Sequence, residues 1–193
     1  MAKTFSTMLA LGTRAPDFDL PDVTSGRRVA LADFADRPAL LVMFICAHCP
    51  YVLHVQEELA RIARDYQPRG LGVVAISANS VITHPADGPE HLAAQARAQG
   101  FTFPYAYDEL QAVAKAYTAA CTPDFFLFDA ARKLAYRGQI DDSRPGSGKP
   151  VTGHDLRAAI EAVLAGQSVS PDQRPSMGCN IKWTPGQAPA HFG

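Results

Sequence analysis

Residues 39–50 determine the architecture of this chain and read Ala39-Leu40-Leu41-Val42-Met43-Phe44-Ile45-Cys46-Ala47-His48-Cys49-Pro50. The first seven residues are all apolar, which predicts a central strand covered on both faces. Apolar residues then recur at spacings of three and four from Val52 to Tyr66, which predicts an amphipathic helix. A second apolar run over residues 71–76 predicts another strand. Strand, helix and strand in this order predict two parallel strands joined by a crossover helix.

The rest of the chain predicts further elements on both sides of this unit. Residues 16–31 predict a short hairpin or an irregular N-terminal extension. The remaining predicted elements are helices over residues 90–99, 109–118 and 155–165 and an antiparallel hairpin of residues 124–128 and 134–140. Residues 167–193 are rich in proline and glycine and lack periodicity, which predicts an irregular tail that either drapes over the domain or is disordered.

Composition limits the classes of function. The chain has 193 residues, of which 47% are apolar and 19% charged, as is typical of one soluble globular domain with short extensions. Its 18 basic and 19 acidic side chains give a net charge of −1, which argues against nucleic acid or a membrane surface as a partner. The chain has no apolar run long enough for a membrane span or a secretory signal, so we expect a cytoplasmic protein.

Four cysteines, Cys46, Cys49, Cys121 and Cys179, are too few for a disulfide framework in a chain of this length. The spacing of Cys46 and Cys49 at a strand-to-helix junction predicts redox or metal chemistry. Unpaired N–H groups and the helix dipole favour an anion there, so we expect the pKa of Cys46 to fall below about 8.5 and Cys46 to be the attacking thiolate. A protonated His48 would lower that pKa further. Cys49 is then the resolving thiol that releases a mixed disulfide.

Two other interpretations of the cysteines stay open. Cys46 and Cys49 are, in the first, small buried residues without chemistry. In the second, the chain is a metal-binding protein in which Cys46, Cys49 and Cys121, with Cys179 or His48, hold zinc or a cuprous ion. The sequence contains no second paired cysteine motif, which favours a redox-active disulfide that needs neither a metal nor a diffusible cofactor.

Several segments resemble one known family. They are Ala15-Pro16-Asp17-Phe18, the Cys46–Cys49 motif, Cys121-Thr122-Pro123-Asp124 and Met177-Gly178-Cys179-Asn180-Ile181-Lys182-Trp183. With them, nearly the whole chain is similar to bacterial peroxiredoxin-like redoxins of the AhpC/TSA type, within the thioredoxin superfamily. The resemblance implies an α/β, thioredoxin-like three-layer sandwich, with a mixed central sheet between helices. Residues 1–166, including an N-terminal hairpin, would form the redox domain, and residues 167–193 an irregular C-terminal tail.

The resemblance also implies an activity, that of a thiol–disulfide oxidoreductase or antioxidant redoxin. Its partners would be disulfides of proteins or small molecules and a thiol reductant. Thr122 and Pro123 would form a cis-proline loop that faces Cys46 and Cys49, and its backbone would pair with an extended substrate chain. The interior pair of the motif, Ala47-His48, is similar to that of disulfide-introducing oxidases, which implies a less reducing potential than that of thioredoxin.

The two remaining cysteines each have two interpretations. Cys121 is either an additional redox thiol beside the proline loop or a small buried hydrophobe. Cys179 is either a further resolving thiol or part of a tail that packs through Trp183, and we prefer the packing role.

A thiol peroxidase is the nearest alternative activity that the family implies. Peroxiredoxins carry the pattern Pro-X-X-X-Thr/Ser-X-X-Cys, in which the hydroxyl and a distant arginine activate the peroxide. The residues three positions before Cys46 and Cys49 are Met43 and Cys46. Neither thiol therefore has the hydroxyl at that position, which favours disulfide exchange over peroxide reduction.

Overall fold

The structure is a computed structural model that describes residues 3–190. In chain order the elements are β1 (Lys3–Phe5), β2 (Asp19–Pro21), β3 (Arg28–Ala30), β4 (Ala39–Phe44), α1 (Pro50–Tyr66), β5 (Leu71–Ser77), α2 (Pro89–Gln99), β6 (Tyr105–Tyr107), α3 (Ala112–Ala116), β7 (Cys121–Thr122), β8 (Asp124–Phe128), β9 (Leu134–Gly138), α4 (His154–Leu164) and β10 (Met177–Asn180). Short 3-10 helices join several of them. Within residues 3–190 no helix is both long and apolar enough to cross a membrane.

The central sheet has five strands in the order β6-β5-β4-β8-β9. Strand β4 pairs in parallel with β5, and β5 with β6, whereas β4 pairs antiparallel with β8 and β8 with β9. Every residue of β4 and β5 is buried, as their unbroken apolar runs predicted. The predicted parallel unit, the β8–β9 hairpin and the mixed sheet are thus confirmed.

Side chains from the two faces of the sheet enter two separate cores. Alternate residues of a strand point to opposite faces, so Leu41 packs with α1, α2 and α4, including Ile160, in one core. Leu40 packs in the other core with Val113 of α3 and with the N-terminal segment. Helices or extensions therefore cover both faces, which gives the predicted three layers.

A second, three-stranded sheet joins the two ends of the chain in the order β1-β10-β7. Both pairings of β10 are antiparallel. Sequence analysis missed this strand, although residues 167–176 and 181–190 contain no helix or strand, in agreement with an irregular tail. A side chain at Gly178 would overlap the carbonyl oxygen of Thr122, so this position allows β10 to approach β7 closely. Trp183 is buried beyond the strand, as the preferred interpretation of the tail expected.

Other differences from the sequence predictions are local. The helix predicted over residues 109–118 is only the short α3, because Gln111 has a left-handed backbone and the Asp108 carboxylate accepts the N–H of Ala114. The three-residue strand β6 was missed. The N-terminal hairpin is present as β2 and β3.

Candidate active site

Cys46 and Cys49 lie where β4 ends and α1 begins. Cys49 is the residue that precedes α1, and Pro50 is the first residue of the helix, where its missing N–H costs no hydrogen bond. Both thiols meet Thr122: the Sγ of Cys46 lies 3.4 Å from its Oγ1, and the Sγ of Cys49 donates to its carbonyl oxygen at 3.2 Å. The motif and the distant Thr122-Pro123 segment therefore form one site.

The peptide bond between Thr122 and Pro123 is cis, as the resemblance implied. One expectation about this loop needs correction. The strand-pairing partner of Thr122 is Cys179 of β10, because β10 runs antiparallel beside β7. The chain's own tail therefore occupies a backbone-pairing position that the resemblance assigned to a substrate.

Strand β10 also brings a third sulfur into the site. The Sγ of Cys179 lies 2.8 Å from the Sγ of Cys49, and only 2% of the Cys179 surface is exposed. Burial, followed by the hydrogen bond with Cys49, raises the pKa of Cys179 to about 12. The tail thus packs through Trp183 and also reaches the thiol pair, so the two interpretations of Cys179 are compatible.

Cys121 lies beside the site but contacts its own loop. Its side chain is fully buried, and its Sγ donates to the carbonyl oxygen of Pro123 at 3.5 Å. Burial, and then the charge of Asp124, raise its pKa well above the ordinary value. These contacts fit a small buried residue, and a redox role for Cys121 stays a prediction.

Asp87 is a residue of the site that sequence reasoning missed. Its carboxylate is fully buried and accepts the backbone N–H groups of Ala47 at 2.9 Å and His48 at 3.2 Å. It also contacts the His48 ring Nδ1 at 2.5 Å and the Asn79 side-chain amide at 2.7 Å. The N–H groups expected to favour a Cys46 thiolate thus bind a carboxylate instead.

The thiol that loses its proton more easily is therefore Cys49 and not Cys46, the reverse of the sequence prediction. The pKa of Cys49 is lowered to about 5, and the largest cause is a hydrogen bond with Cys46. Burial acts in the opposite direction, and smaller hydrogen bonds with Cys179 and Thr122 lower the pKa further. The hydrogen bond with Cys49, then burial and the charge of Asp87, raise the pKa of Cys46 well above its ordinary value. The expectation of a lowered pKa at Cys46 was therefore wrong, because its hydrogen bond with Cys49 and its burial, and then the charge of Asp87, outweigh the helix N-terminus.

Potential metal ligands do not match the cysteine set of the metal-binding alternative. Within the part of the chain that the structure describes, the His, Cys, Asp and Glu side chains close enough to share an ion are Cys46, His48 and Asp87, whose ligand atoms lie within 4.8 Å of one another. Two of these three, His48 and Asp87, already contact each other. This trio includes neither Cys49 nor Cys179.

A small groove opens beside the proline loop. It is lined by residues from four parts of the chain, among them Tyr51, His54, Pro123, Arg144 and Met177. The first two lie on the initial turns of α1, and Met177 begins β10. The groove is therefore bordered by the first turns of α1, by Pro123 of the proline loop and by the start of the tail strand.

Comparison with known proteins relates this chain to redox proteins. The model of the AhpC/TSA family matches residues 11–137. A candidate peroxiredoxin of Mycobacterium tuberculosis is 34% identical over 116 residues, which cover 60% of this chain and 68% of the relative. The thiol-disulfide oxidoreductase ResA of Geobacillus thermodenitrificans is 30% identical over 133 residues, which cover 68% of this chain and 70% of that protein.

Solved structures agree with this relation. A hypothetical protein from Sinorhizobium meliloti is 55% identical, with a TM-score of 0.93 over 95% of this chain and 100% of that one. The thioredoxin domain of a thiol-disulfide oxidoreductase from Bacteroides vulgatus, at 20% identity, matches 70% of this chain and 90% of its own with a TM-score of 0.58, which supports the fold alone. The thioredoxin-like fold is thus confirmed, and the chain belongs to the AhpC/TSA family.

Proposed function

We propose that this protein is a thiol–disulfide oxidoreductase in which Cys46 and Cys49 alternate between a dithiol and a disulfide. Family membership supports chemistry at thiols or disulfides. One observation carries the proposal: the two thiols converge on Thr122, with the Cys46 Sγ 3.4 Å from its Oγ1 and the Cys49 Sγ 3.2 Å from its carbonyl oxygen. Thiols that meet at one residue and lie three apart in the sequence are placed to form a disulfide.

Cys46 is the proposed attacking residue, because its neighbours Ala47 and His48 are partly exposed, whereas the Sγ of Cys49 lies against that of Cys179. The Cys46 Sγ bonds to one sulfur of the substrate, and the other substrate sulfur leaves and takes up a proton. The proton of Cys46 passes to Cys49 along their hydrogen bond. Cys49 then loses it and attacks the mixed disulfide, releasing the second substrate thiol. The substrate gains two electrons and the cysteine pair loses two.

The groove beside Pro123 is the proposed docking position. Tyr51 and Met177 provide apolar surface there, and Arg144 and His54 provide polar groups. A segment of polypeptide or a small organic disulfide would both suit such a lining. The reverse reaction, which introduces a disulfide, uses the same contacts.

Trapping the mixed disulfide tests this proposal. Turnover of insulin is measured with dithiothreitol as the reductant. For trapping, reduced wild-type protein, Cys46→Ser, Cys49→Ser and the double variant are freed of dithiothreitol and incubated with insulin alone, and covalent adducts are detected by mass spectrometry. We expect turnover in the wild type alone and a stable insulin adduct on Cys49→Ser. Wild-type turnover no faster than that of the double variant would refute the activity. An adduct on Cys46→Ser instead would reverse the roles of the two thiols.

Peroxide reduction remains the second candidate, because one observation favours it. The Thr122 hydroxyl reaches Cys46 from another part of the chain, although the peroxiredoxin pattern is missing around Cys46. Peroxide would convert Cys46 to a sulfenic acid, and Cys49 would then condense with it and release water. Hydrogen peroxide consumption that outpaces insulin reduction, and is lost in Cys46→Ser and Thr122→Val, would support this candidate over the first.

A further inference from the structure

A third sulfur already touches the thiol pair. The distance of 2.8 Å between the Sγ atoms of Cys179 and Cys49 lies between that of a disulfide, about 2.05 Å, and ordinary van der Waals contact. In contrast, Cys121 is adjacent to Thr122 in sequence, but its Sγ donates a hydrogen bond to the carbonyl oxygen of Pro123. Proximity therefore distinguishes Cys179 from the other buried cysteine beside the site.

Strand pairing fixes the position of Cys179. It lies opposite Lys3 of β1 on one edge of β10 and opposite Thr122 of β7 on the other. Gly178 allows the close approach of β10 to Thr122, because a Cβ there would overlap the Thr122 backbone. Thr122 also contacts both thiols of the pair. The same residue thus aligns all three sulfurs, and such preorganisation favours reaction among them.

We propose that Cys179 is a third redox thiol, which displaces Cys46 from Cys49 after the pair has been oxidised. This inference rests on the proposed function. The Cys179 Sγ forms a bond to the Cys49 Sγ, the Cys46–Cys49 bond breaks, and Cys46 receives the bonding electron pair and the proton that Cys179 gives up. One disulfide replaces another, so the step needs no external oxidant or reductant.

The reactivity of Cys179 changes in the required direction when the pair is oxidised. In the reduced site, burial raises its pKa first, and the hydrogen bond and negative charge of Cys49 raise it further. Cys49 has neither a free thiol nor a negative charge when it is part of a disulfide. Two of the causes that keep Cys179 protonated therefore disappear, and its thiolate fraction rises.

The exchange has a consequence for turnover. The Cys49–Cys179 disulfide ties β10 to the start of α1 and retains the oxidising equivalent inside the protein. Cys46 becomes a free thiol again, next to the partly exposed Ala47 and His48. The oxidised protein is then able to form a mixed disulfide with a second disulfide molecule.

Disulfide mapping tests the exchange. Trypsin leaves Cys46 and Cys49 on one peptide and Cys121 and Cys179 on two others. The full chain is oxidised with one equivalent of glutathione disulfide, quenched in acid, alkylated and digested. We expect the main linked product to join the Cys49 and Cys179 peptides in the wild type and in the control Cys121→Ser. In Cys179→Ser the disulfide should stay within the Cys46–Cys49 peptide.

Intact mass in excess glutathione disulfide gives a second readout. We expect wild type and Cys121→Ser to gain one glutathione at Cys46 in addition to the internal disulfide, and Cys179→Ser to gain none. A wild-type disulfide confined to Cys46 and Cys49, with Cys179 fully alkylated and insulin reduction intact, would overturn this inference alone. Failure to form any internal disulfide, together with loss of insulin reduction, would overturn the proposed function.

Discussion

The two sulfurs of the Cys46–Cys49 motif face opposite surroundings. On the Cys46 side, the buried carboxylate of Asp87 takes up the free N–H groups at the end of β4. On the Cys49 side, strand β10 supplies Cys179, and Thr122 supplies a carbonyl oxygen. Electrostatics at a strand-to-helix junction thus depend on the side chains that a neighbouring loop inserts there, as well as on the helix dipole.

The largest expected effect is on the pH at which the first cysteine of the reduced protein loses its proton. With the pKa of Cys49 lowered to about 5 from an ordinary 9.0, thiolate forms as the pH rises through about 5 and is lost below it. We expect the ultraviolet thiolate absorbance to show this step in the wild type and to lose it in Cys49→Ser, because burial and the charge of Asp87 still raise the pKa of Cys46 when Cys49 is absent. A step near pH 5 that survives in Cys49→Ser and vanishes in Cys46→Ser would reverse the assignment.

Strand β8 begins directly after Pro123 with a buried ion pair between Asp124 and Arg137 of β9, both fully buried, with 3.3 Å between Nη2 and Oδ2. Arg137→Met should lower the free energy of unfolding by about 3–5 kcal/mol, because it leaves a buried carboxylate unpaired. Urea denaturation measures the change. The control Arg28→Met, which breaks an exposed pair with Asp19, should cost at most about 1 kcal/mol. Equal losses in the two variants would contradict the prediction.

Close approach of β10 to the site depends on Gly178. Gly178→Ala should lower the free energy of unfolding by about 3 kcal/mol, because the added methyl group meets backbone atoms of Thr122 rather than a flexible side chain. The Cys49–Cys179 link should then form more slowly in the mapping experiment. Gly186→Ala is the matched control in the same tail: it adds backbone strain but has open space around the Cβ, so the link should form at the wild-type rate. An unchanged link in Gly178→Ala would show that the spacing of the strands does not matter.

The buried Asp87 carboxylate holds the backbone of Ala47 and the ring of His48 beside Cys46. Asp87→Asn should destabilise the reduced protein by about 2 kcal/mol, because one amide oxygen is unable to accept from every donor that now reaches the carboxylate. It should also lower the pKa of Cys46, since the negative charge that raises it is removed. The pH dependence of Cys46 alkylation in a Cys49→Ser background measures this shift. Asp172→Asn, at an exposed position, is the control and should change neither the stability nor the pKa of Cys46. An unchanged pKa of Cys46 in Asp87→Asn would exclude the carboxylate as a cause of the raised pKa.

Sequence was sufficient for the elements that have strong hydrophobic patterns. The apolar run of β4 and the three-and-four spacing in α1 identified the central unit within a residue or two of its bounds. Strands β6, β7 and β10 have two to four residues, and their existence depends on partners that are distant in sequence. No local pattern reveals such strands.

The site residues that lie within one local motif were predictable from the sequence. Residues that reach the site from another part of the chain were harder to predict. Cys46, Cys49 and the Thr122-Pro123 segment came from local motifs and the family resemblance. Asp87 follows β5 in the loop of residues 78–88 and carries no local signal. One available clue is topological: β4 and β5 are parallel, so polar residues after β5 lie at the same sheet edge as Cys46.

Trp183 is the only tryptophan of the chain, and it lies four residues beyond Cys179 with 8% of its surface exposed. Its ring is set in the core on the far side of the central sheet, with Lys115 over it at 5.9 Å. The molecule thus contains its own fluorophore on the segment that carries the third sulfur. Any event that lifts this segment from the domain must wet the indole and shift its emission to longer wavelength, so movement of the tail is visible without a label.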